Sequence, residues 1–106
     1  MTWPVPPVQK EQRTTLDQQT RENALRNLPD WTFQENALVR TLSFPDFRAA
    51  ICFVNHVADI AEGAQHHPDL DIRYTQVRIA LTTHSAGGLT AKDFDVARQI
   101  DALIQG

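Results

Sequence analysis

Between Pro45 and Glu62 the apolar residues Phe47, Ala50, Ile51, Val54, Val57, Ala58 and Ala61 recur at three- and four-residue steps. That spacing gathers them on one side of an α-helix, and the stripe must be buried against a sheet or another helix. Pro45 fits the first turn, where a missing N–H costs little. Gly63 weakens or ends the helix. Cys52 falls inside the apolar pattern and reads as a small core residue rather than a nucleophile. His56 reads as a solvated helix residue.

Something flat has to cover that stripe, and alternating segments on either side supply it. Upstream, Trp31 and Phe33 alternate and Gln34-Glu-Asn-Ala37 makes a polar break. Leu38, Leu42 and Phe44 then share one parity, with Val39 and Thr41 on the other. This predicts a β-hairpin over Trp31–Phe44 with Asn36 near its turn. No Asn-Gly pair is present to fix the turn type. Downstream, Leu70–Ile72 forms a short extended stretch and Tyr74–His84 a strand. Val77, Ile79 and Leu81 take its core face, while Tyr74, Gln76, Arg78 and His84 take a polar face fit for a site or a wet interface. Ser85–Leu89, with Gly87-Gly88, is a loop. Thr90–Ile104 is an amphipathic helix with Phe94, Ala97, Ile100, Leu103 and Ile104 inward.

The first third is plainer. Met1–Val8 carries Pro4, Pro6 and Pro7 without periodicity and reads as a flexible, proline-rich arm. Gln9–Leu28 reads as a surface helix, best supported over Thr20–Leu28 and stopped before Pro29. The division is thus an arm over residues 1–8 and a single domain over residues 9–106. The order α-β-β-α-β-β-α predicts an α+β fold: an antiparallel sheet of about four strands with helices packed on one face.

At 106 residues the chain forms one modest core. Its net charge of −3 argues against a nucleic-acid footprint. No apolar run is long enough to span a bilayer, and no secretory signal is visible. A lone cysteine forms no internal disulfide and fits a reducing, cytoplasmic setting.

The residues fit for chemistry cluster at element ends. Glu62, His66, His67 and Pro68 follow the central helix, His84 closes the last strand, and Asp93 opens the last helix. Imidazoles titrate near neutral pH, so the cluster can move protons in both directions. On a continued helix Glu62 and His66 share a face, so the carboxylate would orient the imidazole. Thr90-Ala-Lys-Asp93 has the form of a capping box, so Asp93 is a candidate both for capping and for substrate contact. Tyr74 is either strand filling or a site aromatic. A metal site is the competing reading of the histidines. It is disfavoured because adjacent side chains point apart in most backbones and zinc ligands show wider local spacing.

The composite pattern Glu62, His66-His67-Pro68, Tyr74, His84, Asp93 resembles that of the pterin-4a-carbinolamine dehydratases. The flanking text agrees: Phe44-Pro-Asp-Phe47 opens the central helix, and Leu81-Thr-Thr-His84 with Gly88-Leu-Thr90 follows the strand. The resemblance covers roughly Leu25 to the C-terminus. It implies a hydro-lyase, 4a-hydroxytetrahydrobiopterin dehydratase, that converts 4a-hydroxytetrahydropterin to quinonoid dihydropterin in tetrahydrobiopterin recycling. It implies no cofactor and no metal. His66, His67 and His84 would be the catalytic set, with Glu62, Pro68, Tyr74 and Asp93 binding or orienting substrate. Implied partners are the pterin, a second copy in a homodimer or homotetramer, and a pathway link to an aromatic amino-acid hydroxylase, without nucleic acid or membrane. The same family includes a dimerisation cofactor of a homeodomain transcription factor and relatives proposed as carboxylase assembly factors, so a non-catalytic interaction protein is the alternative. Members often carry tryptophan two residues after the proline; this chain has Leu70 there.

Overall fold

The computed structural model describes residues 15–105. The expected arm at residues 1–8 and the start of the first expected helix lie outside them. The elements run α1 (Gln18–Leu25), β1 (Thr32–Gln34), β2 (Ala37–Ser43), α2 (Phe47–Ala64), β3 (Asp69–Arg73), β4 (Gln76–Leu81), a 3₁₀ turn (His84–Ala86) and α3 (Ala91–Gln105). The four strands form one antiparallel sheet in the order β1-β2-β4-β3. This is the expected α+β order.

Each boundary has a local cause. Asp17 caps α1, its Oδ1 accepting the Thr20 N–H at 2.8 Å. That bond holds the Asp17 carboxyl below the usual carboxylate range. The helix ends at Leu25, earlier than expected, because the chain turns there to bury Leu28 and Trp31. Asp46 caps α2 through the Ala49 N–H at 2.8 Å, so Pro45 stands before the cap rather than in the first turn. The β1–β2 turn needs only Glu35 and Asn36, both left-handed (φ 50° and 63°). Two left-handed residues match the twist of the flanking strands, as in a type I′ turn.

The strand expected over Tyr74–His84 is shorter at both ends. Tyr74 is left-handed (φ 56°) and sits in the tight turn joining β3 to β4, exposed to solvent. His84 leaves the sheet and begins the 3₁₀ turn.

Val77, Ile79 and Leu81 of β4 are fully buried and join Leu38 of β2 in one apolar cluster. The helices close it with Ala50, Phe53 and Val57 from α2, and Phe94, Val96, Ala97 and Ile100 from α3. Leu25 of α1 packs on its edge. The stripe on α2 is therefore rotated from the expected one. Phe53 is inside, while Phe47 and Ala58 are exposed. Cys52 is also exposed, its Sγ 4.0 Å from His56 Nδ1, which corrects its expected place in the core. Residue 52 lies two positions, about 200° around the helix, from the inward Ala50. On α3, Leu103 and Ile104 are likewise part-exposed at its C-terminal end.

Arg40 pairs opposite Ile79 in the sheet. Its Nη1 reaches Asp101 Oδ1 at 2.6 Å, and the Trp31 indole N–H donates to the same oxygen at 2.8 Å. These two bonds tie α3 to the β1–β2 hairpin and satisfy a carboxylate that α3 holds over the sheet. Among the described residues no helix is long and apolar enough to cross a membrane.

Candidate active site

The site is built where three elements end together. The C-terminus of α2 comes first. Gln65 is left-handed (φ 52°), and the N–H groups of Gln65 and His66 return to the Glu62 and Ala61 carbonyls at 3.3 and 3.0 Å. This double closure is the Schellman arrangement. It is unusual in having glutamine rather than glycine at the left-handed position, at a cost of about 1–2 kcal/mol. The Gln65 side chain recovers part of that by donating Nε2–H to the Glu62 carbonyl at 2.8 Å. The helix thus runs through Gly63 and stops at a sharp turn.

That turn decides which carboxylate serves which histidine. His66 no longer lies one helical turn above Glu62. Its Nε2 is instead 2.5 Å from Asp93 Oδ1. Glu62 takes the next ring, with His67 Nε2 at 2.6 Å from Glu62 Oε2. The expected Glu62–His66 pair is replaced because the left-handed Gln65 breaks the helical spacing. The two imidazoles diverge in environment as well. The His66 side chain is 10% exposed and that of His67 58%. Pro68 then leads the chain into β3 at Asp69.

The end of β4 comes second. The β3–β4 pairing begins at Asp69↔Ala80, so residues 66–68 enter and residues 82–84 leave the sheet at the same end. Thr83 extends the inward parity of Val77, Ile79 and Leu81, and is buried. The loop folds back on it: Ala86, Gly87 and Gly88 all donate N–H to the Thr83 carbonyl, and Thr83 N–H donates to Gly88. Gly87 supplies the left-handed φ of 78° that closes this loop without a Cβ clash. His84 is left exposed at the mouth.

The start of α3 is the third element. Asp93 is wholly buried, yet each of its oxygens has a hydrogen-bond partner. Oδ2 accepts the Thr83 hydroxyl at 2.8 Å and the Thr90 N–H at 2.9 Å, while Oδ1 faces His66. A buried carboxylate is tolerated only when hydrogen-bonded this completely. Asp93 closes the capping box and holds the histidine at once.

His66, His67, His84, Glu62, Pro68 and Asp93 therefore share one end of the sheet. Tyr74 does not: it turns the chain at the other end of β3, roughly 16 Å away at the rise of an extended strand. Sequence reasoning missed Thr83. Its signal was a hydroxyl residue continuing the inward parity of an apolar strand. Among the described residues no group of three or more His, Cys, Asp or Glu side chains is arranged to hold a metal ion. A shallow groove on the outer side of α2, lined by Phe47, Arg48, Ile51, Cys52 and Asn55, is separate from the histidines.

The sequence pattern of the family described as pterin 4 alpha carbinolamine dehydratase matches residues 14–103. The chain belongs to that family. A Chloroflexus aurantiacus protein provisionally named pterin-4-alpha-carbinolamine dehydratase is 58% identical over 80 residues, 76% of this chain and 86% of the relative. One from Acidobacterium capsulatum, provisionally named likewise, is 55% identical over 83 residues, 78% and 90% of the two chains. The solved transcriptional coactivator/pterin dehydratase from Brucella melitensis superposes with a TM-score of 0.81 at 34% identity, over 85% of this chain and 98% of that one. A pterin dehydratase-like protein identified as a RuBisCO assembly factor in the alpha-carboxysome shares the fold, with a TM-score of 0.60 at 23% identity over 70% and 88%. The pterin dehydratase pattern thus spans all three elements that meet at the histidines.

Proposed function

We propose that this chain dehydrates 4a-hydroxytetrahydropterin to quinonoid dihydropterin by histidine general acid–base catalysis. The observation that carries the proposal is the gathering of His66, His67 and His84 at one sheet end, with Asp93 bonded to the least exposed ring. Dehydration removes a proton from N5 and a hydroxyl from C4a. The hydroxyl leaves as water once it gains a proton, and the N5 electron pair forms the C4a=N5 bond. No electrons are gained or lost overall. The step needs one group that accepts a proton and one that donates it, both working near neutral pH.

In this reading His66 and His84 exchange those protons, and His67 holds and polarises the pterin. Glu62 orients His67, Asp93 orients His66, and Pro68 fixes the chain between the rings and β3. Tyr74, at the far turn, has no role within a single chain. The setting is tetrahydrobiopterin recycling beside an aromatic amino-acid hydroxylase, in the cytoplasm, with the chain as a homodimer or homotetramer.

The reading predicts that the purified protein accelerates loss of the 4a-hydroxypterin absorbance, and that His84→Ala slows it by about 100-fold, the usual weight of one general acid or base. Full activity in His84→Ala would remove that ring from the proton exchange. The alternative is an interaction protein on the same fold, related in role to a coactivator or an assembly factor. A wild-type rate equal to background, from folded protein, would favour it.

A further inference from the structure

The proton positions around Asp93 can be read from donor counting. Thr83 Oγ1 donates its single hydroxyl proton to Asp93 Oδ2 at 2.8 Å. The same Oγ1 lies 2.8 Å from Thr90 Oγ1. Since Thr83 has no second proton to give, Thr90 must be the donor in that contact. Thr90 Oγ1 in turn accepts the Lys92 N–H at 3.3 Å. The hydroxyls therefore point one way, from α3 through Thr90 and Thr83 onto Oδ2. Oδ2 also takes the Thr90 N–H, which can only donate. With both of these donors on Oδ2, an ionised Asp93 has Oδ1 left to accept. His66 Nε2 stands 2.5 Å from it, and a carboxylate oxygen can only accept, so the proton between them is assigned to the ring. In the neutral ring the lone pair is then on Nδ1.

We infer that Thr83, backed by Thr90, is a positioning residue: it pins the Asp93 carboxylate so that His66 keeps its proton on Nε2 and works through Nδ1. The inference rests on the dehydratase reading for its catalytic consequence, but not for the tautomer. Thr83 touches neither ring nor substrate in this scheme. It acts through Asp93, and its burial beside Thr90 keeps water from substituting for the lost hydroxyl. Without that hydroxyl, Oδ2 loses one of two donors and the Thr90 hydroxyl loses its acceptor. The carboxylate is then held on that side by the Thr90 N–H alone, its Oδ1 is less firmly placed, and the Nε2–H form of His66 is less strongly favoured.

The test compares wild type, Thr83→Val and Thr83→Ser by long-range ¹H–¹⁵N NMR of the imidazoles, titrated until the rings are neutral, together with dehydration kinetics. Wild type and Thr83→Ser should show the Nε2–H form of His66. Thr83→Val, nearly isosteric, should show mixed tautomers and a kcat lower by about 10-fold at unchanged KM. A purely structural threonine would lower the melting temperature of Thr83→Val and leave tautomer and kcat alone, which would overturn the inference. So would a wild-type His66 protonated on Nδ1, a result that needs no variant to fold. If wild type shows no dehydratase activity, the dehydratase reading fails, and the spectra of wild type and Thr83→Val still decide the tautomer claim.

Discussion

Asp93→Asn should fold and yet lose dehydratase activity by about 10²–10⁴-fold, the range seen when a buried carboxylate that sets a catalytic histidine is made an amide. The reason is geometric. Thr83 O–H and Thr90 N–H both donate to Oδ2, so the asparagine must turn its carbonyl oxygen that way. Its NH₂ then faces His66 Nε2. Two donors cannot share a hydrogen bond, so the ring gives up its Nε2 proton and carries it on Nδ1, the atom that should accept. Substrate binding is barely touched, so KM should hold while kcat falls. The stability cost should be modest, about 1–2 kcal/mol, because the Thr83 O–H and Thr90 N–H keep their acceptor and one N–H of the new amide meets His66. Asp93→Ala should cost more, about 3–5 kcal/mol, since it leaves several buried donors unsatisfied. Steady-state kinetics and urea titration of the two variants separate these effects. An Asp93→Asn protein with normal kcat would mean that His66 is not oriented through this carboxylate.

The second large effect concerns the frame. Ile79 lies at the middle of β4, paired with Arg40 on one side and Leu70 on the other, and is fully buried. Ile79→Ala should destabilise the protein by about 2–5 kcal/mol, the transfer energy of the lost methylenes plus the cavity they leave. Against a total of roughly 5–15 kcal/mol for a domain, that is a large share. The urea midpoint should drop with little change in slope. Below the transition the histidine chemistry should survive, because β4 still delivers Thr83 to Asp93. A loss under 1 kcal/mol would mean that the core does not centre on this strand.

These two substitutions mark what was legible beforehand. The order of elements followed from periodicity alone, because β4 alternates cleanly and α2 and α3 carry wide apolar arcs. Which part of an arc faces inward did not follow. On α2 apolar residues cover more than half the circumference, so Phe53 could come in and Phe47, Cys52 and Ala58 go out without a change in pattern. Tyr74 fits an alternating strand on paper. Nothing in Arg73-Tyr74-Thr75 announces a tight turn, since no glycine or asparagine is there to mark the left-handed residue.

At the site, the histidines and both carboxylates were visible as types. Their pairing was not. The expectation that Glu62 orients His66 assumed that the helix continues, and one left-handed glutamine moves His66 to Asp93 and gives Glu62 to His67. The capping box at Thr90–Asp93 was legible. Its connection to Thr83 depends on a fold-level contact between the end of β4 and the start of α3, which local spacing does not encode.

The most direct test is the rate at which purified protein dehydrates enzymatically generated 4a-hydroxytetrahydropterin, followed by ultraviolet absorbance beside a His66→Ala, His84→Ala double variant. The account predicts a rate well above the uncatalysed background that the folded double variant loses. A folded wild type no faster than background, or a double variant as fast as wild type, would contradict it.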